Sequence, residues 1–274
     1  MPFLFVVLYG LLSGFFDVLP VSSLGHQDLL RNIFGVEESL HLYKFLVHLA
    51  SLAALIFSSM PSITSLLREQ RILSLPHKRM QGERKFTYEL RFVKTVIFTV
   101  TIMTVLTSIW GNRTQSLLTT GILFVVNGVI VLVPEYLPVG NKSAKHLNRL
   151  DATAFGALSG FGIFPGISRI ATMQCYGSLR GADRSRICNW VVLAMIPALA
   201  VMTFFDLIGV FTAGAGVASF LSFLSFLLGA ILSFIGTFSG ITLIRFLSAK
   251  VGFVGFGYYS IGAGLLTFFL YLTA

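Results

Sequence analysis

The amino-acid sequence predicts an all-α polytopic membrane protein, an inverted repeat with about six transmembrane helices and two re-entrant helical hairpins. Three observations lead there. Hydrophobic residues make up 55% of the chain against 11% charged, with a mean hydropathy of +0.85, well outside the balance of a soluble globular domain. Several windows stay apolar for roughly the 20 residues that a helix needs to cross about 30 Å of hydrocarbon. Two other apolar segments are interrupted by Gly, Pro, Ser and a charged residue, and they correspond to one another along the chain.

From the N-terminus, residues 2–22 form the first broken segment. Its apolar run has no basic residues ahead of it and no small-residue cleavage site behind it, so no signal peptide is expected. Continuous spans are predicted over residues 42–60, 93–110, 117–135, 188–210, 217–245 and 251–273. Residues 153–175 form the second broken segment. Backbone that leaves the helix at bilayer depth is tolerated only where it is buried in protein or lines a cavity. Gly10, Ser13, Gly14, Phe15 and Ser22 align without a gap, at an offset of 146, with Gly156, Ser159, Gly160, Phe161 and Ser168. This internal repeat divides a single membrane domain into a first repeat, 1–135, and a second, 136–274. Corresponding broken segments in two halves point to a midplane site where the repeats meet.

The net charge of +9 sits largely in short loops at 68–94, 142–149, 180–186 and 245–250, so membrane topology explains it better than nucleic-acid binding. All four loops are expected to face the cytoplasm. The count closes only if segment 153–175 enters and leaves on one side as a re-entrant hairpin. The loop 26–41, with Asp28, Glu37 and Glu38 against Arg31, is then outside, as is the C-terminus. Cys175 and Cys188 lack CxxC spacing and are expected simply to pack. The Asn112–Arg113–Thr114 sequon carries little weight, and no phosphate-binding P-loop, dinucleotide-binding glycine pattern or zinc spacing occurs.

Chemistry concentrates in the two breaks. In DVLPVSSLGH, Asp17, Ser22, Ser23 and His26 fall within ten residues, and after Pro20 the chain can restart as a helix capped by Ser22 or Ser23. In FPGISRIAT, Pro165 and Gly166 break the chain, Ser168 can cap, and Arg169 brings a fixed positive charge. Two helix N-termini and an arginine make a phosphate clamp. Plainer readings stand beside this one. The serines can be caps alone, Asp17 and Arg169 a structural ion pair, and His26 an interfacial residue. His48, in VHLAS, is as much a packing candidate as a ligand. Glu135 and Asp206, near span ends, are expected at the interface. An ionisable group inside a membrane segment is nevertheless a functional candidate.

LPVSSLGH, PGISR and the later AMIP together resemble the bacterial undecaprenyl-diphosphate phosphatase family of the bacitracin-resistance type, over nearly the whole chain. The resemblance implies an inverted repeat with two re-entrant hairpins meeting at a site open to the outer face of the bacterial inner membrane. It implies removal of the terminal phosphate from undecaprenyl diphosphate, which recycles the lipid carrier for cell-wall (peptidoglycan) synthesis and bears on bacitracin resistance. Ser23 and His26 match the family's catalytic Ser and His, Arg169 its phosphate-binding Arg, and Ser168 the Ser before it. The family's two Glu, four residues apart, fall on Ser13 and Asp17, and the residues after its Arg become Ile170 and Ala171.

The expected function is therefore membrane phosphatase. Asp17, Ser23 and His26 would be catalytic, with Asp17 orienting the histidine. Ser22, Ser168 and Arg169 would bind phosphate. If the site takes a cation it is Mg2+ or Ca2+, with Asp17 the one carboxylate to hold it and a correspondingly weaker hold; otherwise no cofactor is expected. The partners are a polyprenyl diphosphate or phosphate lipid and the bilayer, with no nucleic acid; the sequence leaves a homodimer open. The alternative is a polyprenyl-phosphate transporter or flippase that keeps the clamp without hydrolysis, which the repeat architecture and Ser13 favour.

Overall fold

The computed structural model describes residues 2–36, 41–73, 84–110, 116–213 and 219–273. Within them lie ten α-helices: α1 (Phe3–Phe16), α2 (Ser23–Ile33), α3 (His41–Leu73), α4 (Arg84–Trp110), α5 (Leu117–Leu132), α6 (Arg149–Ala157), α7 (Arg169–Leu179), α8 (Arg184–Ala213), α9 (Phe220–Lys250) and α10 (Val254–Thr273). Glu37, Glu38, the sequon at 112–114 and residues 74–83 of the basic loop lie outside the described residues.

Six of these helices, α3, α4, α5, α8, α9 and α10, are long and apolar enough to cross a membrane. They coincide with the six predicted spans, and several run well past the hydrocarbon length. At 33 residues, α3 reaches about 50 Å at 1.5 Å per residue, so its second half carries polar groups beyond the apolar stretch. The two segments expected to be broken are broken. The first is α1, a bend over residues 17–22, and α2. The second is α6, a 3₁₀ helix over Leu158–Ile163, a turn containing Gly166 at φ +111°, and α7. Helix α5 packs along α10, α1 along α9, α3 against α8 and α9, and α4 against α8 and α6.

Hydrophobic exclusion does little between helices surrounded by lipid, so close backbone approach has to supply the attraction. At α1 against α9 it does so through small residues. A Cβ placed on Gly10 would lie 2.3 Å from the carbonyl oxygen of Gly229, and one on Gly14 would lie 2.1 Å from that of Ser233. Cys188 is buried and Cys175 partly so; both are free thiols.

The breaks are held by a shared polar lock. Ser22 caps α2, its Oγ accepting from Gly25 N at 3.2 Å, and Ser168 caps α7 by accepting from Ala171 N at 3.3 Å. Both helices have 11 residues, and their first positions, 23 and 169, are 146 apart. Each serine also reaches the opposite break: Ser22 Oγ accepts from Gly166 N at 2.9 Å, and Ser168 Oγ donates to Leu19 O at 3.3 Å. Asn127 of α5, with no exposed surface, completes the lock. Its Nδ2 donates to Pro20 O and Ser260 Oγ, both at 3.1 Å, while its Oδ1 accepts from Ser168 N at 2.8 Å.

Outside the spans, α6 starts on a reciprocal cap: Asp151 N donates to Asn148 Oδ1 at 2.7 Å and Asn148 N to Asp151 Oδ2 at 2.9 Å. Arg180 and Tyr176 bind the same carboxylate at 2.7 and 3.1 Å. Burial by itself would raise the pKa of Asp151, but the bonds from Asn148, Arg180 and Tyr176 outweigh it and hold the carboxyl below its ordinary value.

Two outcomes are expected. Asn127→Leu orphans the Pro20 carbonyl and the Ser168 N–H in the interior, at about 1–3 kcal/mol for each group. Its unfolding midpoint in detergent should fall clearly below wild type; an unchanged midpoint would refute the lock. For Asp151, a depressed carboxyl pKa stabilises above the unfolded value of about 3.9 and loses that contribution as pH falls through the folded value. The midpoints of wild type and Asp151→Asn should therefore differ at neutral pH and converge below about pH 4.

Candidate active site

The helix starts that the lock holds in place border a cavity. Asp17, Ser22, Ser23 and Leu24 line it from the first break, Gly162, Ser168, Arg169 and Ile170 from the second, and Met195 and Met202 of α8 close it. The sequence-derived set thus converges in part. Ser22 and Ser168 lie in the wall with both hydroxyls engaged in capping and cross-bracing; Ser168 donates its proton to Leu19 O, whereas Ser22 only accepts.

Ser23, the first residue of α2, lies beside the Asp17 carboxyl. Its Oγ accepts from Gln27 Nε2 at 3.3 Å, and the same amide donates to Ser13 Oγ at 3.1 Å. Gln27 is one helical turn after Ser23, so its side chain falls on the same face of α2. With its lone pair occupied in this way, Ser23 has its proton free to turn toward Asp17. The Oδ2 of Asp17 is buried and has no hydrogen-bond partner among the described residues.

Arg169 enters the cavity from the start of α7. Its stem crosses Gly162 so closely that a Cβ there would lie 1.9 Å from Arg169 Cγ, and its Nη1 donates to Thr104 Oγ1 at 3.3 Å. Arg169 and Asp17 are electrostatically coupled.

His26 does not join this group, contrary to expectation. Its Nδ1 donates to Ser22 O at 2.6 Å, and its Nε2, then an acceptor, receives the hydroxyl of Tyr259 at 2.8 Å. The ring lies 4.1 Å, centroid to centroid, from Phe16 and 4.9 Å from Phe124, and it stacks on Tyr259. One helical turn separates Ser22 from His26, and the ring sits beside Phe124 of α5 and Tyr259 of α10, with both nitrogens bonded to groups other than Asp17.

A different histidine does face the site. The cavity shares Leu24, Arg169 and Met202 with a larger one, lined also by Gln27, His41, Lys44 and His48, by Thr107 and Ser108 of α4, and by Asp206 of α8. His48 is 4% exposed, and its Nδ1 lies 2.5 Å from Asp206 Oδ2. Asp206 is therefore not the interfacial residue expected from its position near a span end: its side chain is 17% exposed and turned inward onto α3. Glu135, also expected at the interface, stands at a span end with its side chain 7% exposed, paired with Arg184 at 3.1 Å and accepting from Phe253 N. His48 and Asp206 are 158 positions apart, and no spacing rule connects them. The available signal was the presence of ionisable groups in otherwise apolar spans.

Comparison with known proteins is consistent across the chain. The family described as bacitracin resistance protein BacA matches residues 6–266. Among curated relatives, the undecaprenyl-diphosphatase of Alkaliphilus metalliredigens is 27% identical over 260 residues, covering 93% of each chain. That of Carboxydothermus hydrogenoformans is 29% identical over 201 residues, 73% of this chain and 72% of the other. The protein of the same name from Treponema denticola is 24% identical over 267 residues, 96% of each.

If His26 is a packed core residue, Tyr259→Phe strips the partner from its Nε2. The variant should unfold more readily in detergent, by about 1–3 kcal/mol, while leaving the groups around Arg169 in place. A Tyr259→Phe protein as stable as wild type would contradict this placement.

Proposed function

The chain belongs to the bacitracin resistance protein BacA family, and from that premise we propose that it is a membrane phosphatase removing the terminal phosphate of undecaprenyl diphosphate, so recycling the lipid carrier of cell-wall synthesis. The observation that carries the reading is the meeting of Ser23, Asp17 and Arg169 in one cavity between two broken segments. Relatives named undecaprenyl-diphosphatase, matched over most of their length, support the substrate.

The chemistry follows from the groups present. The starts of α2 and α7 both border the cavity and present their positive dipole ends to an anion. Arg169 supplies a charge-assisted fork for the diphosphate and stabilises the charge that spreads over the transferring group. Ser23 Oγ attacks the terminal phosphorus as its proton passes to Asp17. A bond forms between Oγ and phosphorus, the bond to the bridging oxygen breaks, and the prenyl phosphate leaves with the electron pair.

Mg2+ or Ca2+ finds a poor donor set here. Among the described residues no three His, Cys, Asp or Glu side chains cluster as a metal site, and the carboxylate at the Ser23 pocket, Asp17, lies beside an arginine. The residues do not fit a dedicated divalent site, and no step is derived through one.

The same reading extends to topology. Residues 1–135 and 136–274 are proposed as inverted repeats and the two broken segments as re-entrant hairpins. In support, exchanging α1 with α6, α3 with α8, α4 with α9 and α5 with α10 maps the principal helix contacts onto one another. The basic loops at 142–149, 180–186 and 245–250 favour the cytoplasm at one end, which opens the cavity, near the start of α3 and the far end of α8, to the outer face of the inner membrane.

The test is phosphate release from a short-chain prenyl diphosphate by purified protein in detergent, with magnesium, calcium or EDTA. Wild type should turn over, Arg169→Ala should lose about 10²–10³-fold in kcat, and EDTA should reduce the rate by less than about tenfold. No release under any condition would overturn the phosphatase reading.

A further inference from the structure

His48 and Asp206 are not used in the reaction so far, and they have the makings of a proton-transfer pair. An aspartate that accepts the Nδ1–H of a histidine fixes the tautomer and leaves the Nε2 lone pair as a base. In this chain the Nδ1 contact to Asp206 is present at 2.5 Å, and Nε2 is buried with no hydrogen-bond partner among the described residues. His48 also lines the larger cavity, which shares Leu24, Arg169 and Met202 with the Ser23 pocket. A purely structural ion pair at bilayer depth would be expected to satisfy both ring nitrogens. Here one nitrogen is held and the other is buried without a partner among the described residues.

The reaction needs such a group at a particular point. When Ser23 has taken the phosphoryl group, Asp17 holds the serine proton and cannot also accept one from water. The position that the family resemblance assigns to a second carboxylate is Ser13, and its hydroxyl is tied to Gln27. A second base has to come from elsewhere in the cavity. His41 and Lys44 also line it, but neither has a carboxylate bonded to it among the interactions described, whereas His48 does.

Resting on the phosphatase reading above, we propose that His48 is the general base that activates water to hydrolyse the phosphorylated Ser23, and that Asp206 is the positioning residue that holds its ring. Water oxygen attacks the phosphorus as its proton passes to His48 Nε2. The bond between Ser23 Oγ and phosphorus breaks, Oγ recovers its proton from Asp17, and inorganic phosphate leaves. The imidazolium, stabilised by Asp206, then releases its proton to the aqueous cavity. This role is separate from that of His26, which has both ring nitrogens bonded, to Ser22 O and the Tyr259 hydroxyl.

The proposal separates the two halves of the reaction, so the experiment reads both. Purified wild type, His48→Gln and Asp206→Asn are mixed with a short-chain prenyl diphosphate; prenyl monophosphate is followed over the first turnover and phosphate at steady state. His48→Gln should still release about one equivalent of prenyl monophosphate per protein and carry a phosphoryl mass increment on Ser23. Its steady-state phosphate release should fall by about 10²–10⁴-fold, the usual range for a lost general base. The retained burst shows that the variant is folded and binds substrate. Asp206→Asn, which presents a donor to Nδ1 and disturbs the tautomer, should behave in the same direction. Turnover by His48→Gln within about threefold of wild type would overturn the role of His48 and leave the phosphatase reading intact, because a catalytic base carries more than that. Loss of burst and turnover together would also overturn it, assigning His48 to binding or folding. A wild type that releases no phosphate removes the phosphatase reading, and this proposal with it.

Discussion

Backbone that leaves a helix at bilayer depth must find its hydrogen-bond partners within the protein, and the rest of this structure depends on how Asn127, Ser22 and Ser168 provide them. A helix break between residues 17 and 22 frees the carbonyls of Leu19 and Pro20; the second break frees the N–H groups of Gly166 and Ser168. Each is taken up by one of these three side chains. Because each serine bonds to the opposite break, the two helix starts are fixed relative to one another rather than each to its own segment. This places Ser23 and Arg169, the residues immediately after the two caps, across one cavity.

The same arrangement explains why adjacent residues have such different tasks. Ser22 is a strut and Ser23 is open to the cavity, although they share a side chain and a neighbourhood. The N-cap hydroxyl points back along the helix axis to meet the first-turn N–H groups, whereas the first helical residue projects sideways. Ser168 and Arg169 repeat the division at the second break. His26, one turn further along α2, is drawn by its bond to the Ser22 carbonyl into an aromatic packing site and is lost to the cavity.

In fixed charge the two cavities set Arg169 and Lys44 against Asp17 and Asp206, and the positive ends of α2 and α7 border the smaller one. Where the resemblance assigns the family a second carboxylate, this chain has Ser13 bonded to Gln27, a neutral pair that links the back of the site to Ser23. Removing one negative charge and tying down its position keeps the remaining carboxylate, Asp17, close to Ser23 and Arg169 without like-charge repulsion from a neighbour at position 13.

The six spans and the two breaks were legible in the sequence because they depend on local properties: about 20 consecutive apolar residues, or Gly and Pro where such a run would otherwise continue. The caps at Ser22 and Ser168 and the place of Arg169 were legible for the same reason, since a helix start is decided within a few residues. The tertiary structure decided what those residues face. A histidine on α2 has no preference for cavity or core until α5 and α10 surround it, and Asp206 looks interfacial until α8 packs on α3 and brings it to His48. Asn127 was one polar residue in an apolar span until two breaks, from 107 positions before it and 41 after it, arrived at its amide. Hydrogen bonds between distant segments leave no periodicity, and only the packing of the helices brings them within reach.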